Sequence, residues 1–208
     1  MAAFRVAVLI SGAGTNLQAL LDQVHSPGGP IEIVGVASSR AAARGLERAQ
    51  RAGVETGVFE IAAHGERAER DAALGDWLEA LGAELVVLAG FMELLGEDFI
   101  GRFAGRMINV HPSLLPAFPG LRAIEQAVEQ GAKVTGVTVH FVDEGVDTGP
   151  IVLQEPLELS YPAGIAEIEQ QVHGVEHRLL PRAVRLIAAG GIRTDPANPR
   201  AVLIDDVD

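Results

Sequence analysis

The sequence predicts an α/β fold in which parallel strands are covered by helices on both faces. Three observations carry this. The 208 residues are 48% hydrophobic but only 4% aromatic, so the core must be built of Ala, Val, Leu and Ile, the composition of strands buried on both sides. The run Leu85-Val86-Val87-Leu88-Ala89 is apolar throughout, as a central parallel strand is. The chain opens with a strand, a glycine turn and a helix. Its length suits one domain with a sizeable core, placed over residues 1–190, with residues 191–208 as a weakly held C-terminal tail.

In chain order, Phe4 to Ile10 is apolar and β-branched and reads as the first strand. Ser11-Gly12-Ala13-Gly14-Thr15-Asn16 follows, then a helix from Leu17 to Val24. Backbone N–H groups and a helix N-terminus in such a turn can cradle a phosphate. A dinucleotide site would need a third glycine where Leu17 stands. The turn therefore fits a single phosphate, or it is only a tight connection. Ile31 to Ala37 reads as the second strand, Ala41 to Ala52 as a surface helix and Val54 to Ile61 as holding a short third strand. His64 to Leu81 reads as one long helix whose Glu66, Arg67, Glu69, Arg70 and Asp71 form a solvated face. After the fourth strand, Gly90 to Leu95 leaves the carboxyl end of the sheet, where open α/β sheets bind ligands. A short helix, Glu97 to Phe103, leads to a buried strand at Met107 to Val110. Leu121 to Gln130 is helical, Val134 to Val142 alternates as a strand, and Ile151 to Leu159 is a further strand. Ala163 to Ala189 is a long helical segment that Pro181 should kink or break.

Composition excludes several functions. There is no cysteine, hence no disulfide framework, thiolate metal site or cysteine nucleophile. The net charge is −12 and the only lysine is Lys133, against the basic face of a nucleic-acid binder. No apolar stretch reaches membrane-spanning length. Met1-Ala2-Ala3 runs straight into the first strand, without a signal peptide. A cytoplasmic protein acting on small molecules is the expectation.

The chemistry concentrates at Asn109-Val110-His111-Pro112-Ser113-Leu114-Leu115-Pro116 and Asp147-Thr148-Gly149-Pro150. Period-two geometry points Asn109 and His111 to one face of the strand end. A carboxamide beside an imidazole suits a site that polarises a carbonyl and moves a proton. The prolines force an irregular loop, where catalytic residues concentrate. Either residue alone reads as structural; the pair, with Asp147 beyond the next strand, reads as chemistry.

These segments, with Ala89-Gly90-Phe91-Met92 and Gly136 through Phe141-Val142, resemble the phosphoribosylglycinamide formyltransferase family from the first strand to about Pro181. The resemblance implies a mostly parallel, twisted, seven-stranded sheet with one antiparallel strand and a Rossmann-like N-terminal half. It implies transfer of a formyl group from the co-substrate 10-formyltetrahydrofolate to the amine of the ribonucleotide, in purine synthesis and without a metal. It makes Asn109, His111 and Asp147 the catalytic set. It places the ribonucleotide phosphate on Gly14, Thr15 and Asn16, with Glu176 near the glycinamide end. It places the folate against Arg67, Met92, Glu93, Leu94, Leu95, Asn109 and Asp143. Thr15 stands where many relatives have serine, Glu93 where some have a basic residue, and Leu121-Arg122-Ala123-Ile124 lacks histidines that some carry. Three competing readings are a methionyl-tRNA formyltransferase, a formyltetrahydrofolate hydrolase and an inactive nucleotide-binding module. The first normally adds a basic C-terminal domain and the second an N-terminal regulatory domain. A monomer or a homodimer suits the family.

Overall fold

A computed structural model describes residues 2–162 and 164–205. The chain divides into two compact units, Met1–Ile108 and Asn109–Asp208. The first contains β1 (Phe4–Ile10), α1 (Thr15–Gln23), β2 (Ile31–Ser38), α2 (Arg44–Arg51), β3 (Glu55–Val58), α3 (Ile61–His64), α4 (Arg67–Ala80), β4 (Leu85–Leu88) and α5 (Glu97–Arg102). Its strands lie in the order β3-β2-β1-β4. Every pairing among them is parallel. Val6 to Ile10 and all of β4 are buried, which explains their unbroken apolar sequence.

The helix expected from His64 to Leu81 is α4, which starts at Arg67, and the residues before it, Ile61–His64, form the separate single turn α3. Gly65 separates them at φ +82, a left-handed conformation that stops a helix and that glycine adopts without steric cost. The charged face is also not all solvated. Arg70 is fully buried and Asp71 is buried beside it. They share the inward stripe of α4 with Leu74 and Leu78, because positions four apart lie on one side of a helix.

The strand β5 (Met107–His111) leads into the second unit, which holds α6 (Ala123–Glu129), β6 (Val134–Phe141), β7 (Ile151–Glu158), α7 (Ile165–Ala188), β8 (Ile192–Asp195) and β9 (Asn198–Ile204). The strand order is β5-β6-β7-β9-β8. β6 and β7 are antiparallel, β7 and β9 parallel, and β8 and β9 an antiparallel hairpin. The sheet strands therefore exceed the expected seven by β8 and β9. Both fall in the segment read as a weakly held tail, where β9 pairs through Ala201 with Ile151. α7 passes through Pro181 without a break. Val172, Val175, Leu179, Leu180, Ala183 and Val184 are buried along it, and this packing holds the helix where the proline removes one backbone hydrogen bond. Ala163, the expected first residue of that helix, and residues 206–208 of the tail lie outside the described residues. Among the described residues no helix is long and apolar enough to cross a membrane.

Candidate active site

In the second unit β5 brings Asn109, half-exposed, and His111, 4% exposed, to the end of the strand. Asp147 reaches both. Its Oδ2 lies 3.3 Å from His111 Nδ1 and its Oδ1 accepts from Asn109 Nδ2 at 3.4 Å. The backbone works to place it. Asp147 has φ +54, a conformation costly for a side chain other than glycine and one that clusters at functional sites. Gly149 follows in a turn so tight that a Cβ there would lie 1.8 Å from Phe141 O. Phe141 N in turn donates to Pro150 O at 2.8 Å, closing the turn on β6.

His140 is the member of this cluster that the sequence reading missed. It is 2% exposed and its Nε2 lies 3.5 Å from Asp147 Oδ1. Its Nδ1 is 2.8 Å from Phe141 O. A carbonyl only accepts, so Nδ1 carries the proton and in the neutral ring Nε2 is an acceptor. That acceptor takes the Asn109 Nδ2–H at 3.2 Å, which fixes which way the carboxamide faces. His111 is oriented in the same manner: its Nε2 donates to Phe118 O at 2.8 Å while Nδ1 faces Asp147. Both nitrogens of His111 thus face acceptors.

Asp147 is held below the ordinary carboxylate range. Burial pushes it up, but His140 once its Nε2 carries a proton, the Gly120 N–H at 2.7 Å and a charged His111 ring favour the anion more. The loop after β5 is tied to β6. Thr138 Oγ1 donates to Ser113 O at 2.7 Å and accepts from Leu115 N at 3.1 Å. Gln154 Nε2 donates to Leu115 O at 2.8 Å. Phe118, whose carbonyl meets His111 Nε2, has positive φ like Asp147, so strained non-glycine backbone lies on both sides of the imidazole. A cavity of about 360 Å³ adjoins, lined by Pro116, Pro119, Val146, Asp147 and Arg200 among others. Arg200, from the expected tail, donates to Thr148 O beside Asp147.

The remaining site residues of this unit lie on separate elements. Asp143 accepts from Gly145 N at 3.1 Å and from Thr148 Oγ1 at 2.6 Å, which shapes the loop leading to Asp147. Glu176 is buried on α7, 2.9 Å from His173 Nδ1. The Glu176 carboxylate raises His173 above the ordinary histidine range against the opposing effect of burial.

In the first unit Gly14 is the N-cap of α1 at φ +70, and no acidic residue occupies the first turn of that helix. The N-terminus of α1 keeps its full partial positive charge. A Cβ on Gly14 would lie 2.7 Å from Gly45 Cα of α2. Thr15 is half-buried and Asn16 buried. Arg48, on the helix read from sequence as lying at the surface, donates to Ala13 O at 2.9 Å and to Gln18 Oε1 at 2.9 Å. It brings a cation to the turn. Arg67 is the exposed first residue of α4. Met92 and Leu94 are 59% and 66% exposed while Glu93 and Leu95 are half-buried. Met92 N donates to Ser11 Oγ at 2.8 Å, tying this segment to the end of β1.

The formyl transferase family model matches residues 4–184. The chain is 42% identical to the phosphoribosylglycinamide formyltransferase of Haemophilus influenzae over 91% of this chain and 89% of that protein. It is 45% identical to the human trifunctional purine biosynthetic protein adenosine-3 over 91% of this chain. It spans only 19% of that much longer relative. The crystal structure of glycinamide ribonucleotide transformylase 1 from Symbiobacterium toebii superposes with a TM-score of 0.92 at 46% identity, covering 98% of this chain and 95% of that one.

Proposed function

The chain belongs to the formyl transferase family, and on that premise we propose that it transfers the formyl group of 10-formyltetrahydrofolate to the amine of phosphoribosylglycinamide, a step of purine biosynthesis. A folate-derived formyl donor follows from the family; the choice of donor and acceptor belongs to the proposal. The observation that supports it most is the convergence of Asn109, His111 and Asp147, with contacts of 3.3 and 3.4 Å to the one carboxylate.

The amine lone pair attacks the formyl carbon, and the carbonyl electrons move onto oxygen. Asn109 Nδ2 is the donor for that oxyanion, and its 3.4 Å bond to Asp147 is the long one that yields. Such stabilisation is typically worth about 3–4 kcal/mol in the transition state. His111 takes the proton from the attacking nitrogen and passes it to the departing folate nitrogen as the old C–N bond breaks. Asp147, an anion at working pH, fixes the imidazole throughout. Phe118 O occupies the place of the reacting partner on His111 Nε2, so the 117–122 loop must withdraw before turnover. The Gly14-Thr15-Asn16 turn takes the phosphate, with Arg48 adding charge, and Glu176 lies toward the glycinamide end. Arg67, the 92–95 segment, Asn109 and Asp143 receive the folate. The step uses no metal, and the enzyme works in the cytoplasm as a monomer or homodimer.

The test is incubation with 10-formyltetrahydrofolate, with and without the ribonucleotide, following loss of the formyl group from the folate. Deformylation is expected only with the ribonucleotide present, and His111→Ala should slow it by about 10²- to 10⁴-fold with the melting transition kept. Deformylation in water alone would mean a hydrolase. None with both substrates would mean a binding module.

A further inference from the structure

The residue Arg70 is the most deeply buried charge among the described residues, and the activity proposed above does not use it. Its side chain is 0% exposed and sits against Asp71, with Nε to Oδ1 at 2.6 Å. Its Nη1 is buried without a hydrogen-bond partner. A buried ion pair with an unsatisfied donor is poor design for stability, since desolvation offsets most of the attraction. What the pair does contact is one segment of chain. Arg70 Nη2 donates to Leu94 O at 3.0 Å. The guanidinium lies over the Phe91 ring, 5.7 Å from its centroid. Asp71 Oδ2 accepts from Gly96 N at 2.7 Å. The segment 91–96 has no helix or strand of its own, yet these contacts hold it at its start, middle and end. Between the anchored points Met92 and Leu94 stand 59% and 66% exposed.

We propose that the Arg70–Asp71 pair is a positioning device that holds residues 91–96 in the shape that receives the folate, presenting Met92 and Leu94 as a preformed apolar surface. The inference rests on the assignment of the folate to this segment. Preformation removes the ordering cost that a mobile apolar loop would impose on binding. The pair touches no reacting atom, so its effect falls on folate affinity and not on the chemical step.

The test is the double variant R70M/D71L. It replaces the pair by apolar side chains, an exchange that commonly leaves stability unchanged or raised. Wild-type turnover with both substrates first establishes the folate site; its absence would defeat the function assignment and not this inference. Where the wild type turns over, the variant should keep its melting transition. Its KM for 10-formyltetrahydrofolate should rise about 10-fold, the kind of loss expected when an interface must order itself on binding. Its kcat and its KM for the ribonucleotide should stay within about 2-fold, as for a change confined to ground-state binding of one substrate. Amide hydrogen exchange at Leu94 and Gly96 should quicken in the same variant. The isosteric Asp71→Asn, which must break one of the two contacts because an amide turns a donor toward one of them, should show a smaller shift in the same direction. An unchanged folate KM in either folded variant overturns the proposal. So does a parallel rise in both KM values, or failure of both variants to fold; each makes the pair a general structural element.

Discussion

The glycine turn at residues 12–16 and the cluster around Asp147 are both polar sites at the end of a strand, but they are built from different materials. The turn is made of backbone: Gly14 at φ +70, the unencumbered N-terminus of α1 and the Gly12 carbonyl accepting from Gly45 N at 3.1 Å. Apart from Gly45, its parts are contiguous in sequence. The cluster is made of side chains from β5, β6 and the loop before β7, with residues as far apart as Asn109 and Asp147 meeting at 3.4 Å. A backbone site tolerates side-chain change but not a change of φ, whereas a side-chain cluster tolerates neither a lost charge nor a turned ring. Substitutions should therefore fail in opposite ways at the two places.

The largest effect is expected at Asp147→Asn. Asparagine accepts positive φ as readily as aspartate, so the turn survives and only the charge and one acceptor are lost. Catalytic rate should fall by about 10²-fold, with ribonucleotide affinity nearly unchanged in a binding titration. Because the native carboxyl titrates below its unfolded value, it adds stability above the unfolded value that is lost as pH falls through the folded one. The gap in melting temperature between wild type and variant should thus close in acid. A gap that persists unchanged would mean that the carboxylate charge is not what the cluster uses.

At the turn, Gly14→Ala and Gly12→Ala separate backbone geometry from ligand approach. At Gly14 an added Cβ meets both the positive φ and Gly45 at 2.7 Å. That should cost about 1–3 kcal/mol, seen as a fall of roughly 2–4 °C in Tm per kcal/mol for a chain of this size. At Gly12 nothing lies within 4 Å of an added Cβ. Gly12→Ala should keep its Tm while weakening ribonucleotide binding in calorimetry and sparing folate. Equal affinity for the ribonucleotide in Gly12→Ala and wild type would remove the phosphate from this turn.

The smallest effect is expected on α7. Glu176 holds His173 above the ordinary histidine range, so the stability this pair adds is present at low pH and lost as pH rises through the folded value. In Glu176→Gln the His173 ring should titrate lower by NMR, and the Tm difference from wild type should narrow toward alkaline pH. An unmoved His173 titration would assign its shift to other charges.

Local chemistry made much of this protein legible in its sequence. The apolar runs of β1 and β4, the strand–turn–helix of residues 4–24 and the pairing of Asn109 with His111 on one strand face depend on near neighbours, and period and turn residues report those directly. The break between α3 and α4 was also written there, in Gly65. Arg70 shows how a pattern can mislead: five charges in six positions read as solvated, although its spacing of four and eight from Leu74 and Leu78 marked the buried stripe. What only the tertiary structure decided was which distant elements meet. His140 joins the cluster because β5 and β6 are neighbours in the sheet. Arg200 reaches Thr148 because β9 pairs with β7. Sheet order and edge pairing come from closing long loops and burying nonlocal surface, energies that no short window of residues contains.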